Sequence, residues 1–136
     1  MKKIFSKTKP DLLICSILKF NNINEKRCDI SPDEEFIQVS GRKLKKDFEV
    51  SAHKHNRLDR KITSTQEAWI LLKGKILSKF YDLDDSFLHE ETLEKGDCIA
   101  IFRGGHELKV LEDDTIFYEI KNGPYFGVEK DKSELI

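Results

Sequence analysis

The chain has 136 residues, 38% hydrophobic and 36% charged, a balance that supports one folded domain and excludes a disulfide-stapled miniprotein or a disordered chain. Its 24 Lys and Arg against 25 Asp and Glu leave a net charge of −1, which gives no electrostatic footprint for nucleic acid. Cys15, Cys28 and Cys98 match neither zinc-finger nor Cys-x-x-Cys spacing, so reduced thiols in a cytoplasmic protein are expected.

In chain order, the first apolar run is Leu12–Leu18, preceded by Lys2, Lys3, Pro10 and Asp11 and stopped by Lys19. It is too short to cross a bilayer and at the lower limit of a signal-peptide core, so a strand over Leu12–Lys19 and no membrane partner are expected. Further strands are expected at Glu35–Arg42, Asp47–His55, Glu67–Lys73, Lys75–Asp82, Asp97–Arg103, Glu107–Leu111 and Thr115–Lys121, each bounded by turn residues. Helix competes at Ser31–Gln38 and Ser64–Lys73. In the second, Trp69-Ile70-Leu71-Leu72 ends at Gly74, which suits a buried strand better. Short strands without a Pro/Gly/Ser linker predict an all-β sandwich or barrel with two antiparallel sheets and little helix. The stretch after Tyr125 is polar and reads as a loose tail.

Two histidines one residue apart, His53 and His55, point the same way if they lie on a strand. A carboxylate from Glu67 and a third imidazole from His106, just past Gly104-Gly105, would complete a site for a divalent transition metal. Mn, Fe, Ni and Zn all suit three His and one carboxylate. Taken singly, each of these histidines also reads as a surface or hydrogen-bonded residue, and His89 reads as solvated in a charged turn. Gln66 competes with Glu67 for the inward position. Arg57, Arg60 and Lys61 fill the segment between His55 and Glu67, a cationic loop that either clamps a carboxylate or phosphate or is simply solvated. Glu119 and Lys121 share a strand face, again either functional or facing water. Trp69 reads as core or dimer contact rather than a stacking platform for substrate, and Phe80, Tyr81, Phe117 and Tyr118 read as core and sheet-packing residues.

Between Phe48 and Tyr125 the chain resembles the cupin superfamily. His53-Lys54-His55, Glu67 and Gly74 look like its first motif, with Glu67 and Gly74 at the family spacing. Gly96-Asp97, Gly104-Gly105 and His106 look like the second. The match departs from the family in two places. Eleven residues separate His55 from Glu67 where three or four are usual, and Phe102 replaces the family proline with His106 one residue early. Glu119-Ile120-Lys121-Asn122-Gly123-Pro124-Tyr125 resembles the ending of the WbuC-type small cupins associated with cell-surface polysaccharide and nucleotide-sugar pathways.

The resemblance implies a cupin antiparallel β-sandwich or jelly-roll barrel at 46–126. Strands in 1–45 would extend the sheet across a homodimer, and 127–136 would form the tail. It also implies a metal held by His53, His55, Glu67 and His106. The barrel mouth would be lined by Glu119, Lys121 and Tyr125, with Arg57, Arg60, Lys61 and Gln66 toward a small anionic or sugar-like ligand. Within that superfamily the expected chemistry is isomerisation, epimerisation or oxygenation with Glu119 handling protons. A non-catalytic sensor and a metal-free structural dimer are the rival expectations.

Overall fold

Ile76, Ser78 and Phe80 are buried while Lys75, Leu77, Lys79 and Tyr81 between them are half-buried, the period-two signature of a strand with one face on a core. This is β6 (Lys75–Tyr81). The computed structural model describes residues 1–135. Its other strands are β1 (Lys2–Phe5), β2 (Leu13–Leu18), β3 (Cys28–Asp29), β4 (Ser40–Gly41), β5 (Glu67–Lys73), β7 (Phe87–Glu94), β8 (Cys98–Ile101), β9 (Gly105–Val110) and β10 (Ile116–Lys121). A 3-10 turn (Phe20–Asn22) and a four-residue helix α1 (Val128–Asp131) are the helical elements among the described residues. The chain is therefore nearly all β, as its composition and turn spacing predict. No helix among the described residues is long and apolar enough to cross a membrane.

All strand pairing is antiparallel. One sheet has five strands in the order β1-β2-β8-β5-β10, and a second has three in the order β7-β6-β9. A short ribbon pairs β3 with β4. The two larger sheets pack through Cys15, Ile17, Trp69, Leu71, Ile99 and Ile101 on one side and Ile76, Phe80 and Leu93 on the other. Each fully buried side chain of this size contributes about 1.5–3 kcal/mol. Phe80 has no exposed surface, and truncating it to alanine is expected to cost about 3–5 kcal/mol.

The outer face of the five-stranded sheet has a smaller core of its own. Residues 20–41 fold across it, laying Ile30 and Ile37 on Leu18, Ala68, Ala100 and Phe102. This cover reaches β2, β8 and β5 but leaves the outward side chains of β10 (Ile116, Tyr118 and Ile120) exposed.

Several expected strands shift or dissolve. Glu35–Arg42 keeps strand geometry only at Ser40–Gly41, because Ile37 and Val39 serve as cover rather than as a sheet row. Asp47–His55 is not a strand: residues 42–66 hold no regular structure, and every residue from 42 to 65 is exposed. Two edge strands, β1 and β7, carry too much charge to show an apolar alternation. At the C-terminus, α1 and residues 132–135 fold back so that Leu135 reaches Gly105.

On one side the sandwich is closed by charge. Lys2 on β1 donates to Glu91 on β7 at 2.6 Å, and Lys19 bridges Glu91 and Asp97 at 3.3 and 3.0 Å. On the other side β10 and β9 both end their sheets with no strand beyond them.

Candidate functional site

Glu67 opens β5 with its neighbours set by register: Lys121 on β10 to one side and Ile101 on β8 to the other. Its carboxylate faces the space between the sheets, where His106 arrives from β9 of the opposite sheet. His106 Nε2 stands 2.5 Å from Glu67 Oε1, and Lys121 Nζ stands 3.1 Å from Oε2. Lys121 also meets Glu119 Oε1 at 3.0 Å. The Glu67–His106 contact thus ties the two sheets together at one end of the sandwich.

Why His106 points inward is a backbone matter. Gly104 takes φ +73°, and a Cβ there would lie 2.4 Å from the Tyr81 carbonyl oxygen. Only glycine makes that close turn cheaply. The following strand then places His106 opposite Phe80 with its ring against Trp69, centroids 5.5 Å apart and nearly perpendicular. His106 Nδ1 and Trp69 Nε1 are both buried without a hydrogen-bond partner.

Electrostatics follow from this geometry. Burial pushes the Glu67 carboxyl up, but hydrogen bonds and charge from His106 and Lys121 outweigh it and hold the group below its ordinary value. Burial pulls the Lys121 ammonium down, and Glu119 and Glu67 more than reverse that, raising it above the ordinary lysine range. The end of the sandwich therefore holds an ionised carboxylate beside a fixed ammonium, with an imidazole in contact.

A cavity of about 410 Å³ opens over these groups, within the range of about 300–1,000 Å³ typical of small-ligand sites. Glu67, His106 and Lys121 form one wall, Arg103 and Asp82 another, and the C-terminal residues Asp131–Ser133 with Leu135 a third. The tail is held there by Thr65, whose hydroxyl donates to Asp131 at 2.5 Å. Arg103 is pinned by Nη2, which donates to both Glu35 carboxylate oxygens at 2.7 and 2.9 Å, and by Nη1, which donates to the Leu13 carbonyl. Asp82 accepts from the backbone N–H groups of Lys7, Leu83 and Thr8 at 2.6, 2.8 and 3.1 Å. Burial pushes its carboxyl up, yet the Ser6 hydroxyl and those N–H groups bring it down to about 2.

The remaining expected site residues lie elsewhere. Gln66 is buried, but its amide accepts from Ile37 N–H at 2.9 Å and donates to Glu35 at 2.6 Å, so it secures the outer cover while Glu67 faces the cavity. Tyr125 is exposed and outside the cavity. Arg57, Arg60 and Lys61 sit on the exposed segment 42–65 and do not line it. His53 and His55 sit on that segment too, their rings 5.5 Å apart and His53 Nδ1 2.9 Å from the Ser51 carbonyl oxygen. His89 stacks on Phe80 and meets Glu91 at 3.3 Å rather than lying in a turn.

Two of the four expected metal ligands therefore meet, and two stand side by side outside the cavity. Among the described residues no three His, Cys, Asp or Glu side chains gather around one centre. In this arrangement the set does not fit a metal, and Lys121 already occupies one carboxylate oxygen of Glu67.

Arg103, Asp82 and the tail were missed as wall residues. Arg103 directly precedes the Gly104-Gly105-His106 turn and was the most findable, since a cation beside a predicted site strand is a clamp candidate. Comparisons with family models, with curated proteins and with solved structures gave no match.

Proposed function

We propose that the cavity between the sheets binds a small polar ligand, anionic or sugar-like, through Glu67, His106, Lys121 and Glu119. The observation that carries this reading is the meeting of Glu67 and His106 at 2.5 Å beside the Lys121 ammonium, on the wall of a 410 Å³ cavity. Lys121 offers a point charge and hydrogen-bond donors to a carboxylate, phosphate or hydroxyl. Glu67 and His106 supply a hydrogen-bonded carboxylate–imidazole couple able to take and return a proton at a ligand carbon or hydroxyl. Glu119 is exposed and does not line the cavity itself; it is joined to it through its 3.0 Å pair with Lys121. Isomerisation or epimerisation of a sugar derivative is the reaction class this couple suits, within a cupin-type jelly roll and a cytoplasmic setting. Three free cysteines agree with a reducing compartment.

Calorimetric titration with monosaccharides, sugar phosphates and nucleotide-sugars tests the proposal. A ligand is expected whose affinity falls at least tenfold in Glu67→Gln and in Lys121→Met. Equal affinity in all three proteins, or no ligand in the panel, defeats the reading.

A divalent transition metal is the second reading. It is supported by the Glu67 oxygen and His106 nitrogen already converging and by the adjacent His53 and His55 rings. It requires the 42–65 segment to bring that pair over the cavity. Under this reading elemental analysis of tag-free protein finds metal in the wild type and a loss in His53→Ala/His55→Ala. Negligible metal in both removes this reading and leaves the first intact.

A further inference from the structure

Residues 42–65 are the anomaly of this molecule. The segment carries eight Lys and Arg against three Asp and Glu, while the rest of the chain carries 16 against 22. It is also apolar at intervals: Leu44, Phe48, Val50, Leu58 and Ile62 are all exposed, Val50 at 63%. Among the described residues its backbone makes a single main-chain hydrogen bond of its own, Phe48 N–H to the Lys45 carbonyl at 3.2 Å. Exposed backbone is satisfied by water, but large apolar side chains gathered on one exposed segment mark an interaction surface.

The body has a matching deficit. Of its four sheet edges, β1 is four residues long and carries Lys2 and Lys3, and β7 carries Glu90, Glu91 and Glu94; these two are joined by the Lys2–Glu91 pair. Short, charged edges are protected edges. The β9 and β10 edges are six residues each, with Glu107 and Lys109 on one and Glu119 and Lys121 on the other, and among the described residues no ion pair joins the two. They expose Val110, Ile116, Tyr118 and Ile120, Tyr118 at 61%, and the turn joining the two strands carries Glu112, Asp113 and Asp114. A basic, apolar segment with free backbone groups thus exists alongside an acidic, apolar edge with free backbone groups.

We infer that residues 42–65 form an arm that docks on the β9–β10 edge of a second copy of the chain, giving an arm-exchanged dimer. Both ends of the arm are tied to its own body. Gly41 is paired with Cys28, and Gln66 N–H donates to Asn122 at 2.6 Å. Near the anchors Arg42 donates to the Lys26 carbonyl at 3.3 Å, Lys26 lies over the Phe48 ring, and Ser64 and Thr65 meet Asn122 and Asp131; every residue of 42–65 is nonetheless exposed. The 24-residue segment can span roughly 80 Å when extended, or half that as a loop out and back, enough to reach a neighbour. Exchange is reciprocal, since each copy gives an arm and receives one, so the contact closes as a two-fold dimer and does not propagate. Strand addition supplies main-chain hydrogen bonds, and the charge difference sets which edge is chosen. The inference does not depend on the ligand proposed for the cavity.

Sedimentation velocity on the full chain at 5–200 µM (on the order of the range where weak dimers dissociate) tests this. The wild type is expected at twice the chain mass. The arm variant Phe48→Asp/Val50→Asp and the edge variant Tyr118→Asp/Ile120→Asp should each weaken the dimer at least tenfold, and Phe87→Ser on the β7 edge should not. All five positions are solvent-exposed, and far-UV circular dichroism checks that each variant folds. Mixing arm and edge variants should restore a dimer, because one intact arm then meets one intact edge. Raising NaCl should weaken the wild-type dimer through charge screening. A wild-type monomer across the range overturns the inference; the arm then closes on its own body or meets a partner of another class. A dimer indifferent to both variants, or one that mixing fails to restore, overturns it equally.

Discussion

Trp69 lies at the floor beneath the Glu67–His106 pair, 2% exposed, its ring edge-on to His106 and Phe117. Its indole N–H has no acceptor, a cost of about 1–3 kcal/mol for a buried donor. Replacing it by phenylalanine removes that cost together with part of the packing, so Trp69→Phe is expected to fall within about 1 kcal/mol of wild type, whereas Trp69→Ala should lose about 3–5 kcal/mol. Urea unfolding followed by circular dichroism separates the two. A large loss in Trp69→Phe would mean the N–H has a partner in solution. Glu67→Gln acts differently, since the residue keeps its shape and loses its charge. Lys121 then retains only Glu119, and its ammonium, now raised by one carboxylate against the pull of burial, should move back toward the ordinary lysine value in an NMR titration. An unchanged Lys121 titration would place Glu67 outside its charge environment.

At the level of elements, β5, β6 and β10 were legible because each alternates or runs apolar between clear turn residues; β5 matches its expected bounds and the other two differ by one residue at an end. β7 was not legible. Its Glu90, Glu91 and Glu94 pair with lysines on neighbouring elements, so the strand is held by its partners and shows no apolar rhythm of its own. The segment around His53 misled in the opposite direction: Phe48-Glu49-Val50 alternates as a strand should, but with no sheet edge paired to it the pattern alone does not make one. That Glu67 and His106 meet while His53 and His55 stand apart has a related cause. Glu67 and His106 belong to strands whose register is set by burial, whereas His53 and His55 belong to an exposed segment without strand pairing. The Gly104 turn shows how strongly an element depends on one residue. Gly104→Ala would force a Cβ against the Tyr81 carbonyl at a positive φ, costing at least about 1–2 kcal/mol and turning His106 off Glu67. Both a lower urea midpoint and weaker ligand binding are expected, and a variant with wild-type values in both would show that the turn does not aim the histidine.

Over the whole molecule, stability is bounded by acid on one side and alkali on the other. Glu91 is pushed up by burial but drawn down to about 2 by Lys2, His89 and Lys19, and Asp82 reaches about 2 through its N–H cradle. Both values are lower in the folded chain than their ordinary 4.5 and 3.8, so the unfolded chain binds more protons between about pH 4.5 and 2 and stability falls as pH drops through that window. Above about pH 5 the contribution is fully present. The buried thiols of Cys15 and Cys98 work in the other direction. Burial, reinforced by Glu91 at Cys15 and by Asp97 at Cys98, pushes both from 9.0 to about 12. Their contribution is complete below about pH 9 and is lost as the unfolded chain sheds those protons between 9 and 12. The expected profile of urea midpoint against pH is a plateau from about 5 to 9 with a falling limb at each end. Asp82→Asn should lower the plateau and flatten the acid limb alone; Cys15→Ser/Cys98→Ala should flatten the alkaline limb alone. An acid limb unchanged in Asp82→Asn would mean that the hairpin loop beyond β6 and the loop after β1 are held together by contacts other than this carboxylate.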